Sequence, residues 1–237
     1  MNREYYSNYS RELQRDMEVL VFGTGGLPAV IFPTSMGRFF DYENRGMVAV
    51  LAPKIEKGEL QLFCADSVDS ESWYNKAVHP RERVRRHMQY ERYLLQELAP
   101  WLRSRNQVPQ LAVAGCSFGG YHAVNFALRH PDLVSHCVSM GGAFDIHQFL
   151  DGYYDENCYF HCPPDYIGNM NDDWYLSRYR GMRIVLATGE DDICRGENER
   201  MSRIMGAKQI PHWLDVWGDH TGHDWPWWQK MEAKFFL

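Results

Sequence analysis

The sequence predicts an α/β fold, a mostly parallel central sheet with helices on both faces, and three observations point to it. Apolar, strand-like runs alternate with helical patterns along most of the chain, which implies parallel strands joined by helical crossovers. The composition, 45% apolar and 24% charged over 237 residues, suits one core of ordinary size. No internal repeat, low-complexity tract or linker divides the chain, so residues 1–237 read as a single domain.

Two strand-like runs come first, "MEVLVFG" (17–23) and "PAVIFP" (28–33). The glycine-rich "TGGL" between them reads as a hairpin turn, which makes the pair an antiparallel edge. "GTGG" is no phosphate loop, because that motif leads from a strand into a helix and here a second strand follows. After the loop "TSMGRFFDYENRG" (34–46) and a short segment around "MVAVLAPKIEKG", the strand "LQLFCADS" (60–67) leads into an aromatic loop, "VDSESWYN". Apolar residues at Val84, Met88, Tyr93, Leu94, Leu98 and Leu102, with Pro80 at the start, predict a long amphipathic helix from Pro80 to Arg105. The strand "QLAVAG" (110–115) precedes a helix over 118–130, stopped before Pro131, and then comes the strand "VSHCVSMGG". Residues 145–180, rich in Tyr, Asp, Asn and Pro, read as an insertion over the C-terminal edge of the sheet. Alternation resumes with the strand "MRIVLATG" (182–189), a helix over 196–208, the strand "HWLDVWG" (212–218) and a last helix from about Pro226.

The bulk properties exclude several partners. A net charge of −6 argues against nucleic acid, which needs a basic surface. The basic cluster "RERVRRH" (81–87) opens the long helix and reads as a solvated face. No apolar run approaches the ~18 residues of a membrane span. The polar N-terminus lacks the apolar stretch of a secretory signal, so a cytoplasmic location is expected unless a leader has been removed. Six scattered cysteines do not make a disulfide scaffold, and "CYFHC" (158–162) lacks the second ligand pair of a zinc site. No cofactor and no metal is expected; homo-oligomerisation is left open.

Function is carried by "VAGCSFGGYH" (113–122). The pattern G-x-S-x-G is informative where a strand runs through a tight turn into a helix, because that turn raises the serine above the sheet. Here it makes Ser117 a candidate nucleophile and aims the N–H of Phe118, at a helix N-terminus, where an anionic oxygen would form. A serine hydroxyl needs a base, and in this fold acid and base follow on the loops after later strands, in the order Ser, Asp or Glu, His. The strand "RIVLATG" ends in "EDD" and "LDVWG" ends in "DHTGHDW". Position alone leaves Glu190, Asp191 and Asp192 open as the acid, and His220 and His223 as the base. His122 shares the nucleophile's own helix and reads as a packing residue.

"GCSFGGYHAV", "HPDLVSHCVSMGGAFD", "ATGEDD" and "GHDWPWWQKM" together resemble the α/β-hydrolase branch that includes esterase D (S-formylglutathione hydrolase) and the acetylxylan and feruloyl esterases. The resemblance spans nearly the whole chain and implies the α/β-hydrolase fold. In that branch the acid sits as G-x-x-D after its strand, which selects Asp192, and the histidine precedes a Trp-containing helix start, which selects His223. Many α/β-hydrolases place His-Gly after the strand that supplies a second oxyanion donor; "PTSMGR" departs from this, and Ser35, with Met36 behind it, is the expected donor. The implied activity is hydrolysis of short-acyl, aryl or sugar esters through an acyl-enzyme, the partner being a small-molecule ester. Thioester hydrolysis, acyl transfer and a non-catalytic binding role are the alternatives. Trp73 and Tyr74 are expected substrate walls, with Tyr153, Tyr154, Tyr159 and Trp174 of the insertion as further aromatics.

Overall fold

The computed structural model describes residues 1–236. Its strands are β1 (Arg3–Ser10), β2 (Arg15–Phe22), β3 (Leu27–Phe32), β4 (Leu60–Ala65), β5 (Leu111–Cys116), β6 (Val134–Met140), β7 (Arg183–Gly189) and β8 (Trp213–Trp217). They form one sheet in the order β1-β2-β4-β3-β5-β6-β7-β8, antiparallel at β1/β2 and β2/β4 and parallel elsewhere. The helices are α1 (Asp41–Asn44), α2 (Met47–Glu56), α3 (Pro80–Tyr93), α4 (Ala99–Arg105), α5 (Phe118–Arg129), α6 (Glu156–Phe160), α7 (Pro163–Gly168), α8 (Asp173–Gly181), α9 (Arg195–Ala207) and α10 (Trp225–Phe235). Among the described residues, no helix is long and apolar enough to cross a membrane.

Every side chain of β4 and β5 is buried, because the sheet is covered on both faces. Alternate residues of a strand point to opposite faces, so β3 sends Val30 and Phe32 toward α3, α4, α5 and α9, and Ala29 and Ile31 toward α2 and α10. The chain leaves β3 for β4 on one side of the sheet and reaches β5 on the other. The strand order reverses between β3 and β5, so their loops lead in opposite directions from the C-terminal ends of these strands, the usual place for a site in an α/β sheet.

Four details differ from the sequence reading. The runs 17–23 and 28–33 are strands but not a hairpin, because β4 lies between them and the amide of Leu27 bonds to Glu59 O at 2.9 Å. The antiparallel edge is instead made by β1, a mostly exposed strand whose polar "REYYSNYS" carries no apolar alternation to announce it. The long helix is continuous from Pro80 to Arg105 but widens to a π-turn at Leu94–Leu98, just before Pro100, which has no N–H to donate. Within "RERVRRH", Arg83 and His87 are buried rather than solvated; Arg83 donates to Phe149 O (2.6 Å) and Asp151 (2.8 Å), neutralising its charge inside. Arg85 keeps to solvent. Residues 145–180 form α6, α7 and α8, of which α7 packs on α9 and α5.

The α10 face also buries a carboxyl. Glu232 accepts from the Tyr42 hydroxyl, and burial pushes its pKa up to about 8. Its folded pKa lies above the ordinary value of 4.5, so between these limits the native state holds a proton that the unfolded chain releases. The stabilisation is fully present below about pH 4.5 and is lost as pH rises through about 8, by up to about 1.4 kcal/mol per pH unit. Urea melts across pH 5–8 should therefore show a downward slope that Glu232→Gln reduces; an unchanged slope in that variant would refute a proton held on Glu232.

Candidate active site

Ser117 joins β5 to α5 with φ 55° and ψ −123°, a conformation few L-residues tolerate, held by its N–H donating to Met140 O (2.8 Å) and its carbonyl accepting from the Gly120 N–H (2.9 Å). The turn is compact enough that a methyl group on Gly119 would lie 2.6 Å from Pro33 O and closer still to Phe32 O. This contact also places the elbow directly against the chain leaving β3. The first helical residue, Phe118, has no intrahelical acceptor for its N–H by position.

The loops after β7 and β8 bring two side chains to Ser117. His223 Nε2 lies 2.9 Å from Ser117 Oγ, and His223 Nδ1 lies 2.8 Å from Asp192 Oδ1. Asp192 is buried, and the same oxygen accepts from the Cys194 N–H at 2.7 Å. Trp228 of α10 meets the imidazole edge-to-face at 4.9 Å and limits its tilt. Asp191 and His220 form a separate pair at 2.9 Å, with His220 91% exposed and its pKa raised by the Asp191 carboxylate. Among the described residues, Asp192 and His223 alone form a continuous hydrogen-bonded line with Ser117.

Sequence reasoning missed Gly141, at the end of β6. With φ 59°, it passes under the acid–base pair, where a methyl group would lie 2.6 Å from Asp192 Oδ2 and 3.0 Å from His223 Nδ1. The only hint was the "MGG" after a strand. Gly141→Ala is expected to lower kcat by about 10² through displacement of this pair, and to destabilise the fold by about 1–2 kcal/mol through the left-handed backbone. Steady-state kinetics and thermal melting check both; kcat within twofold of the parent would mean that the pair tolerates the added carbon.

The turn after β3 comes next. Tyr74 Oη donates to Ser35 Oγ at 2.7 Å, and the Met36 N–H donates to Asp69 Oδ2 at 3.2 Å. Among the described residues, the Ser35 N–H has no acceptor, whereas that of Met36 is taken. Tyr74 is half-buried at this rim, its ring against Phe118 (5.5 Å) and Phe149 (4.8 Å). Trp73 is a correction: it is 0% exposed, packed on His87 and Phe149, because its side chain turns into the core where that of Tyr74 turns out. Trp174 is another, since it borders a surface hollow with Leu128, Arg129 and Asp132, at the end of α5 opposite Ser117. The side chains of "CYFHC" do not converge: His161 faces Asn125 (3.3 Å) and Cys162 faces His147 (3.9 Å). His122 is buried, as a packing residue would be, yet it is also paired with Asp69.

A serine whose hydroxyl bonds an imidazole, itself oriented by a buried carboxylate beside a helix N-terminus, is equipped for acyl transfer. Comparison with known proteins gives the family. Residues 10–234 match the family described as "Putative esterase". No match was found among curated protein sequences. Among solved structures, a ferulic acid esterase superposes with a TM-score of 0.79 at 18% identity, covering 98% of this chain and 95% of that one. An S-formylglutathione hydrolase from Agrobacterium tumefaciens gives 0.76 at 14% identity, covering 99% and 92%. A ferulic acid esterase from Anaeromyces mucronatus, solved with ferulic acid, gives 0.71 at 13% identity, covering 99% and 88%. The chain belongs to this esterase family and has the α/β-hydrolase fold.

Proposed function

We propose that the protein hydrolyses short-acyl, aryl or sugar esters, with Ser117 as nucleophile, His223 as base and Asp192 as its orienting acid. The observation that carries this reading is the unbroken hydrogen-bonded line from Ser117 Oγ through His223 to Asp192, at 2.9 and 2.8 Å. His223 Nε2 takes the hydroxyl proton as Oγ attacks the ester carbonyl, and Asp192 stabilises the imidazolium that forms. The oxyanion is held by the N–H groups of Phe118 and Ser35. Collapse expels the alcohol with the proton from His223, leaving an acyl-serine. Water, deprotonated by the same imidazole, then releases the acid and restores Ser117.

The aromatic rim at Tyr74 supports an aryl or sugar group next to the reacting carbonyl. Thioester hydrolysis uses the same residues, and the structural likeness to an S-formylglutathione hydrolase supports including thioesters in the first panel. A fluorophosphonate probe, followed by peptide mass spectrometry, tests the site directly. An adduct on Ser117, absent from Ser117→Ala, is the expected result; no adduct on the folded protein would overturn the reading.

A further inference from the structure

The turn after β3 is held by a buried pair that the steps above do not use. Asp69, 1% exposed, accepts from the Met36 N–H through Oδ2 at 3.2 Å and from His122 Nε2 through Oδ1 at 2.9 Å. Met36 has φ 52°, a left-handed conformation that a residue with a Cβ keeps only when its surroundings impose it. Two groups from one loop impose it here: the Asp69 carboxylate and the Tyr74 hydroxyl on Ser35. His122 stands on α5, five residues after Ser117, with its ring packed against Phe118 (5.0 Å), Tyr90 (5.7 Å) and Phe32 (5.8 Å). A single run of contacts therefore ties the turn after β3 to the helix that carries the nucleophile.

We propose that Asp69, held by His122, is a positioning residue for the oxyanion site: by holding the Met36 N–H it fixes the peptide that follows Ser35, and so keeps Ser35's own N–H, in the preceding peptide, directed at the site. This rests on the reading of that turn as an oxyanion donor. The Asp69 carboxylate does two opposing things. Its oxygen anchors the turn, but its negative charge, one residue away from the proposed donor, opposes the charge that develops in the transition state. The His122 N–H on Oδ1 accounts for the arrangement, because it draws on that charge and stops the carboxylate from rotating. The acceptor is what the turn requires, and the charge is not.

The chemistry separates the variants. Asp69→Ala removes the anchor, His122→Ala frees the carboxylate, and Asp69→Asn keeps an acceptor without the charge. Loss of one oxyanion donor typically lowers kcat by about 10²–10³, and a misdirected donor should lose part of that. With a short p-nitrophenyl ester, Asp69→Ala and His122→Ala are expected to lower kcat at least about 10-fold with KM within about twofold. Binding of an arylboronic acid, which forms a tetrahedral anion on the serine, should weaken by the same factor. Asp69→Asn should keep kcat within about threefold, and the double alanine variant should lose no more than either single one.

Wild-type kcat in both alanine variants would overturn the proposal, as would Asp69→Asn impaired as severely as Asp69→Ala. A loss confined to KM would overturn it too. Where Asp69→Ala does not fold, His122→Ala and Asp69→Asn decide by the same comparison. Ser117→Ala, run alongside, separates the two levels: if it retains hydrolysis, the active-site reading fails, whereas an inactive Ser117→Ala with any of the outcomes just named overturns the positioning role alone.

Discussion

Ser117→Ala is expected to lower kcat for a short p-nitrophenyl ester by about 10⁴-fold or more, with the fold intact. The hydroxyl is the only atom removed, and its structural work is small. Although Ser117 occupies the N-cap of α5, its side chain makes no capping hydrogen bond, so the helix loses no partner. Alanine at φ 55° bears about the same backbone cost as serine, since both carry a Cβ. The protein should therefore melt within a few degrees of the parent. The proposed oxyanion donors remain and should leave a residual rate above that of water. Hydrolysis near the wild-type rate in this variant would mean that Ser117 is not the nucleophile.

The second large effect is expected at Asp192. Its Oδ1 accepts from both His223 Nδ1–H and the Cys194 N–H, while Oδ2 lies against Gly141 and has no hydrogen-bond partner among the described residues. In Asp192→Asn the amide has two orientations, and neither serves. Facing His223, its NH2 forces the imidazole into the tautomer that cannot accept the serine proton. Facing Gly141, it leaves a buried donor unpaired and removes the charge that stabilises the imidazolium. A fall in kcat of about 10⁴-fold is expected. Asp191→Asn, at an exposed carboxylate paired among the described residues only with the loop histidine His220, should change kcat less than twofold. Steady-state kinetics on the two variants side by side decide the acid; the reverse pattern would transfer that role to Asp191.

How much of this could be read from the chain varies from element to element. The segment 111–129 was legible because a buried strand, a glycine-flanked serine and an amphipathic helix are all written within twenty residues. The parallel strands were legible for the same reason, as apolar runs bounded by turns. The hairpin reading of 17–33 failed because two strands can be adjacent in sequence while a third, from residues 60–65, hydrogen-bonds between them. β1 gave no apolar pattern, since an edge strand with solvent on most of its side chains does not require one. Arg83 and His87 looked like a solvated face; only the carbonyl and carboxylate that meet Arg83 make its burial tolerable.

The chain by itself determined the α/β class, the elbow at Ser117 and the order in which acidic and histidine candidates follow it. These depend on local backbone geometry and on residue periods that a short window contains. Position in the chain left Asp191 and Asp192 open and the family resemblance selected Asp192; tertiary structure alone decided that Tyr74 reaches the rim while Trp73 enters the core, and that Gly141 and Asp69 border the surroundings of Ser117. Adjacent residues share composition and solvent probability in any sequence window. Which of two neighbours points into a crevice is set by side chains from strands and loops distant in sequence, whose positions exist only once the sheet is assembled.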